Sequence, residues 1–411
     1  MIYLNKDFTY MFKLNNRKAI VSNRFTGNYV HIPIECYEAL VYGSEKRIAL
    51  DKLVKAFEDK EDQKYYLRLL EILKDLGVIS PQNDNQLKLS CIGKIDISLT
   101  NRCNLHCGYC CTESENSKKF KEMNFEEVKN MIDIVLKNLN PRTINLSGGE
   151  IFVRNDIYQI ISYIRSKFDG CLIISTNGIL IKEEKIDFLV NNIDAINISL
   201  DGYNEETVSK ERGRGTFAKV VHLISKLKNK GFDKITLSLV VSKQTEEYIE
   251  KFKQLSNELG VESLTRGFVA IGRGKNNYAY VEDKKDSQFF ATIKDNHKTG
   301  FENTMVCSAG IKSIFINYDG NVFMCANLQE DKFKICEISE IDELFLEKVS
   351  SNKFKAYETL EKIKTKSFDY CDGCEYKLFC CKCPASMIYI YDNEELLKYN
   401  CKKFKQELCI H

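Results

Sequence analysis

Three cysteines, Cys103, Cys107 and Cys110, follow directly on the apolar run that ends at Leu99, with the spacing C-x3-C-x2-C. Thiolates so close together on one short loop can bind three irons of a cubane [4Fe–4S] cluster, and the fourth iron then has no protein ligand. An iron of this kind can bind a small molecule. The spacing therefore predicts a cluster that takes part in chemistry rather than one that only stores electrons.

A zinc site is the alternative for the same cysteines, because C-x2-C pairs are common in zinc modules. Zinc takes four ligands in a closed tetrahedron. The nearby candidates for a fourth ligand, His106 and Cys111, lie inside the triplet or directly against it. This crowding favours the iron–sulfur interpretation.

The triplet, with Tyr109 just before its last cysteine, resembles the radical S-adenosylmethionine (SAM) superfamily. The resemblance implies that the amino and carboxylate groups of SAM bind the open iron. It also implies that an electron from the cluster cleaves SAM to a 5′-deoxyadenosyl radical, which abstracts a hydrogen, and that Tyr109 flanks the adenine. The protein then supplies placement and exclusion of water.

Polar motifs follow the next three apolar runs, and glycines in them let the backbone approach a ligand closely. The motifs are Ser147-Gly148-Gly149-Glu150, Ser175-Thr176-Asn177-Gly178 and Ser199-Leu200-Asp201-Gly202. The family resemblance places the SAM amino group at Gly148, Gly149 and Glu150. It places the ribose near Ser175, Ser199 and Asp201. Arg212 is the expected partner of the SAM carboxylate, because a guanidinium binds a carboxylate through two parallel hydrogen bonds.

The C-terminal third contains a second group of cysteines that resembles the SPASM extension of radical SAM enzymes, which holds two auxiliary clusters. Matched position by position, the outer cluster takes Cys371, Cys374, Cys380 and Cys401, and the inner cluster takes Cys307, Cys325 and Cys383. Three [4Fe–4S] clusters are thus expected in all. The family usually has three residues before the cysteine matched to Cys383, whereas this chain has two. The fourth ligand of the inner cluster stays open between Cys336, Cys381, a substrate cysteine and none.

Composition narrows the function classes. The chain has 411 residues, a net charge of +2 and 17 cysteines, and it offers no electrostatic case for nucleic acid or an anionic membrane as an obligate partner. It shows no apolar run of about 18 residues and no signal-peptide pattern. A cytoplasmic protein is expected, and because disulfides rarely persist there, metal ligation is the better interpretation of the cysteines.

From Lys94 onward, apolar β-rich runs alternate with helical segments, which predicts a parallel sheet covered by helices. The runs are Ile95–Leu99, Thr143–Leu146, Leu172–Ser175, Ala195–Leu200, Ile235–Val241 and Leu264–Ala270. The helical segments are one that starts at Asn124 with a capping box to Glu127, and 155–168, 183–191, 217–230 and 244–259. Six units are too few for an eight-stranded barrel. The expected fold is therefore α/β, a partial (β/α)6 TIM-like barrel with its site at the carboxyl ends of the strands.

The first 88 residues have a different pattern. Short β-prone runs at Phe8–Leu14, Ala19–Ser22 and Asn28–Ile32 precede helices predicted at 33–42, stopping at Gly43, at 48–57, and along an apolar stripe from Tyr66 to Leu76. This order predicts a winged-helix-like α+β domain. It resembles the recognition domain of enzymes that modify ribosomally made peptides, where a leader peptide binds as an added edge strand. A DNA-reading winged helix and a plain packing domain are the alternatives.

Three domains are expected: a leader-recognition domain at 1–88, a radical SAM core at 89–285 and a small Cys-rich auxiliary-cluster domain at 286–411. The predicted function is a peptide maturase that abstracts hydrogen from a ribosomally made precursor and forms an intrapeptide crosslink, with a Cys thioether as the first candidate. Its expected partners are the precursor, whose leader the N-terminal domain binds, and a reductant such as ferredoxin or flavodoxin. No catalytic side chain is assigned.

Several alternatives to thioether formation remain. Carbon–carbon or carbon–oxygen crosslinking and epimerisation belong to the same class. A sulfatase-maturing, formylglycine-forming enzyme is less favoured, because that group has an Asp directly after the Gly-x4-Cys cysteine and this chain has Ala326. From a different class, a winged helix with zinc modules would be a metal-dependent regulator.

Overall fold

The computed structural model describes residues 1–81, 89–116, 121–276, 307–351, 353–363, 369–371, 374, 383–388, 393–395, 397–399 and 401–402. The chain divides into two compact units. The first contains the described residues of 1–89, 296–311 and 346–411, and the second contains those of 90–295 and 312–345. The three predicted domain boundaries stay a prediction.

The N-terminal part of the first unit is a small α+β structure. Its elements are β1 (Tyr3–Leu4), β2 (Thr9–Lys13), β3 (Lys18–Asn23), β4 (Tyr29–Pro33), α1 (Ile34–Lys46), a 3₁₀ helix at Leu50–Ala56, α2 (Lys60–Asp75) and β5 (Ile79–Ser80). Strands β2, β3 and β4 form an antiparallel sheet in that order, and β1 pairs with β5. The buried apolar residues of both helices, including Leu69, Leu70 and Leu73 of α2, belong to one hydrophobic core together with residues of β3, β4 and the 3₁₀ helix.

The sequence predicted that helix α1 stops at Gly43, but the helix continues to Lys46. The reason is packing. A Cβ on Gly43 would lie 2.8 Å from both Leu50 Cδ2 and Leu53 Cδ1, so the glycine permits the close approach of the following 3₁₀ helix. The helix ends instead where Arg47 adopts a left-handed conformation with φ of 54°.

The second unit is a parallel α/β sheet. It contains β6 (Lys94–Ser98), α3 (Phe125–Leu139), β7 (Thr143–Ser147), α4 (Ile157–Arg165), β8 (Cys171–Thr176), α5 (Ile186–Asn192), β9 (Ala195–Ser199), α6 (Glu205–Arg212), α7 (Thr216–Asn229), β10 (Ile235–Val241), α8 (Ile249–Glu258) and β11 (Glu262–Gly267). The six strands are parallel neighbours in sequence order. This confirms the predicted partial TIM-like barrel.

The sheet continues past β6 with strands from the C-terminal part of the chain. These are β12 (Ser313–Ile316), parallel to β6, and the antiparallel strands β13 (Asn321–Phe323) and β14 (Lys334–Glu337). The remaining described helices are α9 (Phe345–Ser350), α10 (Lys355–Ile363) and α11 (Pro384–Met387). No helix among the residues described here has the length and apolar character needed to cross a membrane.

The barrel strands were expected to be apolar throughout, but only one of their faces is apolar. Their helix-facing residues are buried, whereas the opposite face carries a row of polar side chains. Asn145 Nδ2 donates to Asp96 Oδ1 over 2.8 Å, Ser175 Oγ donates to Asn145 Oδ1 over 3.0 Å, and Asn197 Nδ2 reaches Ser175 Oγ over 3.4 Å. Because helices cover only one face, the concave face can remain polar.

Capping asparagine residues begin two of the helices, α3 and α6, and only the first of them was predicted. The capping box of α3 is confirmed: Glu127 N donates to Asn124 Oδ1 over 3.0 Å, and Asn124 N donates to Glu127 Oε2 over 2.7 Å. Helix α6 was not predicted, although Asn204 caps it in the same way with Thr207. Its eight residues contain few apolar side chains, so the periodicity that reveals longer helices is missing.

Candidate active site: a cysteine loop among the strand ends

The cysteine loop leaves the carboxyl end of β6 and packs on the turn that follows β7. Gly149 N donates to Thr100 O and Glu150 N donates to Arg102 O, each over 2.8 Å. A Cβ on Gly148 would lie 2.4 Å from Thr100 O, and one on Gly149 would lie 2.3 Å from Arg102 O. The two glycines therefore allow backbone to lie directly on backbone, which fixes the loop beside Glu150.

The three loop cysteines differ in the pKa of their thiols. Burial raises the pKa of Cys103 to about 11 and also raises that of Cys107, where Arg212 opposes the shift. Burial acts on Cys110 in the same direction, but hydrogen bonds from Thr112 and Ser114 outweigh it and lower the pKa of this thiol. Metal binding requires the thiolate form, so the loop is best prepared for ligation at Cys110.

The loop fits a cubane cluster better than a single metal ion. Zinc bound at about 2.3 Å needs sulfurs within roughly 4 Å of one another. Within the described part of the chain, no three His, Cys, Asp or Glu side chains come together closely enough to hold one ion. A cubane binds each thiolate at a different iron, so its ligands need not converge on one point. Cys110 N nevertheless reaches Cys107 O over 3.3 Å, so these two cysteines share one turn of the loop.

Glu150 has the environment expected of a carboxylate that receives an ammonium. The residue is completely buried and accepts hydrogen bonds from Asn177 N (2.7 Å), Thr176 Oγ1 (2.8 Å) and Phe152 N (3.1 Å). Burial raises the pKa of the Glu150 carboxyl in spite of these donors. No lysine or arginine of the described residues forms an ion pair with it. A cation bound here would favour the charged form, so the site fits the amino group of SAM.

Asp201 holds together two of the other predicted contact residues. Its backbone has φ of 59° and its side chain is buried. Oδ2 accepts hydrogen bonds from the Tyr109 hydroxyl and from Arg212 Nε, the latter over 2.6 Å, and Oδ1 accepts one from Val240 N, also over 2.6 Å. Both carboxylate oxygens thus have protein partners.

The ionisation of these neighbours follows from their burial. Burial raises the pKa of Tyr109 well above its ordinary value, so this hydroxyl stays a donor. Burial alone would lower the pKa of Arg212, but the Asp201 carboxylate outweighs it and raises that pKa. Arg212 is accordingly a permanent, fixed positive charge beside the cysteine loop.

The two predicted ribose serines lie at neighbouring strand ends. Ser175 belongs to the polar row on β8, and Ser199 at the end of β9 accepts a hydrogen bond from Ser238 Oγ over 3.4 Å. The assignment of SAM contacts to individual residues stays a prediction. Sequence reasoning quoted Thr176 and Asn177 within a motif but did not identify them as the residues that orient Glu150.

The predicted auxiliary-cluster ligands are divided between the two units. Cys325 follows β13 in the second unit, while Cys307, Cys371, Cys374, Cys383 and Cys401 belong to the first. Cys371 and Cys374 share one turn, since Cys374 N donates to Cys371 O over 3.2 Å, and Cys383 caps α11. Cys336 is buried on β14 opposite Val322. Cys380 and Cys381, the latter a candidate fourth ligand of the inner cluster, lie outside the described residues.

Comparison with known families identifies both parts of the cysteine system. Residues 97–255 match the radical SAM superfamily, and residues 307–375 match the SPASM iron–sulfur cluster-binding domain. The resemblance predicted from the motifs is thereby confirmed. A radical SAM domain binds SAM and a [4Fe–4S] cluster, and a SPASM domain binds auxiliary iron–sulfur clusters, which confirms the predicted kinds of cofactor.

Two curated relatives are named as a maturase and as a bacteriocin biosynthesis protein. The chain is 28% identical over 255 residues to the mycofactocin maturase MftC of Mycolicibacterium smegmatis, which covers 57% of this chain and 64% of MftC. It is 28% identical over 297 residues to the antilisterial bacteriocin subtilosin biosynthesis protein AlbA of Bacillus subtilis, which covers 66% of this chain and 65% of AlbA. The chain thus spans just under two thirds of the length of each relative.

A solved structure extends the similarity of fold to most of the chain. Streptococcus suis SuiB bound to its precursor peptide SuiA superimposes with a TM-score of 0.55 at 16% identity. The match covers 95% of this chain and 97% of SuiB. At this identity the comparison shows a shared fold. That fold places the cysteine loop and its polar neighbours at the carboxyl ends of the barrel strands.

Proposed function

We propose that this chain, which contains a radical SAM domain and a SPASM domain, is a peptide maturase that crosslinks a ribosomally made precursor. The observation that carries the proposal is the completely buried Glu150 carboxylate beside the cysteine loop, with a raised pKa and no ion pair among the described residues. A bound ammonium would compensate the charge of such a buried carboxylate and so favour its ionised form. SAM offers that ammonium.

The residues of the site divide the work of holding SAM and its cluster, which when bound supply a 5′-deoxyadenosyl radical. Cys103, Cys107 and Cys110 hold the cluster. Glu150 receives the amino group, and Arg212 receives the carboxylate. Side chains at the neighbouring strand ends complete the pocket: Tyr109 at the adenine, Gly148 and Gly149 at the amino group, and Ser175, Ser199 and Asp201 around the ribose.

A peptide substrate is proposed because of the small α+β structure at the N-terminus and because of the similarity to MftC and AlbA. The names of these relatives refer to maturation and to bacteriocin biosynthesis. SuiB, which shares the fold, was solved with a precursor peptide. We propose that the leader of the precursor adds a strand to β4 at the edge of the three-stranded sheet. Main-chain hydrogen bonds then give affinity, and side-chain pockets give specificity.

The register of the sheet determines which β4 groups are available to such a strand. Asn23 N donates to Asn28 O and Ile34 N donates to Arg17 O, so the even-numbered residues of this segment bond to β3. In an antiparallel pair the groups in between point away. His31 therefore presents its N–H and C=O groups at the outer edge, whereas Pro33 has no N–H.

The thioether is the first candidate product because the inner auxiliary cluster has three evident ligands, Cys307, Cys325 and Cys383. One iron would then be available to a cysteine thiolate of the substrate, and thiolates are preferred ligands of iron–sulfur centres. Ala326, directly after Cys325, provides no carboxylate for a formylglycine-forming reaction. Full ligation by Cys336 or Cys381 is the alternative and would make the cluster an electron conduit.

We propose a reducing, cytoplasmic location, where cysteines stay available as metal ligands. Reductive cleavage of SAM needs an electron donor, and we propose a small carrier such as ferredoxin or flavodoxin. Neither nucleic acid nor a membrane is part of the proposed function.

Mass spectrometry of a co-expressed, anaerobically isolated precursor tests the reaction. Joining a C–H carbon to a cysteine S–H removes two hydrogens, so a loss of two hydrogens that disappears when a precursor cysteine is changed to Ala supports the thioether. A product whose cysteines all remain alkylatable contradicts it and favours carbon–carbon or carbon–oxygen crosslinking. Epimerisation leaves the mass unchanged.

The visible absorption spectrum of the anaerobically purified protein distinguishes an iron–sulfur enzyme from a zinc-dependent regulator. Iron–sulfur clusters give the protein visible absorption, whereas zinc has a filled d shell and gives none. A colourless protein that contains zinc but no iron would refute the proposed function as a whole.

A further inference from the structure

Arg273 binds the cysteine loop from the far side of the barrel. The residue follows β11, and its Nη1 donates to Cys107 O over 2.7 Å while its Nη2 donates to Ser114 O over 2.6 Å. Its backbone N–H donates to Cys110 O over 2.9 Å. Three hydrogen bonds from one residue thus reach two of the three cluster cysteines and the end of their loop.

The backbone before Arg273 is shaped for this contact. Gly272 has φ of 56°, a conformation that side chains rarely adopt. A Cβ at this position would lie 2.4 Å from Cys111 O and 2.6 Å from Cys110 O. The segment after β11 therefore lies backbone against backbone on the cysteine loop, and a residue larger than glycine would force them apart.

Other parts of the loop are held by hydrogen bonds from Tyr109 to Asp201, from Asn177 Nδ2 to Asn104 Oδ1 and from Ser114 Oγ to Asn101 Oδ1. Residues 103–116 contain turns and bends but no helix or strand. Within the loop, Cys110 N reaches Cys107 O only over 3.3 Å and Glu113 N reaches Cys110 O over 3.4 Å. These are long for backbone hydrogen bonds. Arg273 therefore binds the Cys107 and Cys110 carbonyl groups over shorter distances than the loop's own backbone N–H groups do.

The chemistry of the guanidinium suits this role. Its donors lie in a rigid plane and can reach two separate carbonyl oxygens at once, whereas a lysine ammonium is a flexible point charge. Bonds from a charged donor are also stronger than neutral ones. The side chain thus offers both a fixed geometry and a positive charge near the thiolates.

We propose that Arg273 is a positioning residue that holds the cysteine loop in the conformation in which Cys107 and Cys110 bind the cluster. This inference rests on the proposed function, because it concerns the same site. It differs from the SAM contacts already assigned, since Arg273 acts through loop carbonyl groups. The sequence analysis did not identify it, because nothing in Gly272-Arg273-Gly274 indicates a partner some 160 residues earlier in the chain.

The test compares Arg273→Lys, which keeps the charge but loses the planar fork, with Arg273→Gln, which loses the charge. Arg214→Lys is the matched control, because Arg214 is exposed and makes no hydrogen bond or ion pair with the described residues. Hydrogen exchange is measured on the reconstituted protein without SAM, in peptides that cover 101–116 and, for comparison, strand β8.

We expect both Arg273 variants to exchange at least about tenfold faster in 101–116, since each loses one or more charge-assisted hydrogen bonds, with β8 and Arg214→Lys unchanged. The electron paramagnetic resonance spectrum of the reduced protein with SAM should change in both variants, while auxiliary iron is retained. Wild-type exchange in 101–116 would overturn the proposal. So would equally faster exchange in β8, or faster loop exchange with an unchanged spectrum.

Iron content and SAM cleavage of the wild-type protein report separately on the proposed function. Exchange in 101–116 measures the Arg273 contacts whether or not a peptide is modified. Failure of the peptide-maturase proposal is therefore distinguishable from failure of the positioning role.

Discussion

Arg212 donates from Nε to Asp201 Oδ2 over 2.6 Å, and both side chains are buried. Asp201 also receives the Tyr109 hydroxyl, so one carboxylate orients both the guanidinium assigned to the SAM carboxylate and a residue of the cysteine loop. Asp201 was expected to contact the ribose. The predicted ribose contact would add to a second role of Asp201, which is to fix the Arg212 guanidinium.

Asp201→Asn should weaken SAM binding by at least about tenfold, because Arg212 loses its counter-ion and its orientation. Removing one partner of a buried ion pair should also lower the free energy of unfolding by about 3–5 kcal/mol. Equilibrium dialysis with SAM and thermal denaturation measure the two effects, with Arg214→Lys as control. Wild-type affinity for SAM in Asp201→Asn would show that Arg212 does not depend on this pair.

Glu150 predicts a particular pH dependence. Burial raises its pKa above the ordinary 4.5. A carboxyl with a higher pKa in the folded state contributes stability that is complete below the unfolded pKa and is lost as the pH rises through the folded pKa. The stability of the SAM-free wild type relative to Glu150→Gln should therefore fall as the pH rises above the ordinary pKa of 4.5. Comparing pH values cancels the constant cost of the altered hydrogen bonds.

Thermal denaturation across this pH range measures the effect, with Glu262→Gln as control because Glu262 is exposed. Added SAM should raise the melting temperature of the wild type and flatten its pH dependence, since the ammonium favours ionised Glu150. Glu150→Gln should lose this response to SAM. If the melting temperatures of wild type and Glu150→Gln changed with pH in the same way, burial would not raise the pKa of Glu150.

The sequence allowed good prediction of what is local. The C-x3-C-x2-C spacing, the α3 capping box and the succession of strands are all contained in short stretches of chain, and periodicity reveals them. The position of Gly43 within α1 was misread because the same residue type serves both helix ends and close packing. Only the approach of Leu50 and Leu53 distinguishes the two.

The contacts that organise the site could not be predicted, because they join residues far apart in the chain. Tyr109 and Asp201 are 92 residues apart, and Arg273 and Cys107 are 166 residues apart. No spacing or periodicity encodes such pairs. The polar row from Asp96 to Asn197 was missed for a related reason: its members appear as isolated polar residues in apolar strands until the sheet places them side by side.

Replacing Cys103, Cys107 and Cys110 together by Ala should abolish SAM cleavage and leave the auxiliary iron in place. With three clusters, the wild type should hold roughly eleven to twelve irons and the triple variant about four fewer. Cys171→Ala is the control, because Cys171 begins β8 and belongs to no predicted ligand set. Iron analysis and the SAM cleavage assay give the answer. About four irons in the wild type, with SAM cleavage intact, would refute the assignment of the C-terminal cysteines.

The edge of β4 offers a test of leader binding that leaves the domain in place. Deleting residues 1–85 should leave SAM cleavage nearly intact and stop turnover of the full precursor, but Arg24 also pairs with Glu361 of α10 within the first unit. The deletion would therefore remove this ion pair together with the proposed leader-binding edge. A single proline on the sheet edge is more selective, because it removes one N–H donor and nothing else from the ladder.

His31→Pro should raise the KM for the full precursor by about tenfold, since the His31 N–H points away from β3 and its loss removes one main-chain bond to an added strand. His31→Ala keeps the N–H and should behave like wild type. Met11→Pro removes an N–H on the outer edge of β2, where the odd-numbered residues face away from β3 because Leu14 N donates to Lys18 O and Arg24 N donates to Phe8 O. Met11→Ala is its control, because the Met11 side chain also packs against the apolar core. SAM cleavage by dithionite-reduced enzyme should be unchanged in all four variants. A raised KM in Met11→Pro with wild-type behaviour in His31→Pro would place the leader on the opposite edge, and no effect in either would remove strand addition as the mode of recognition.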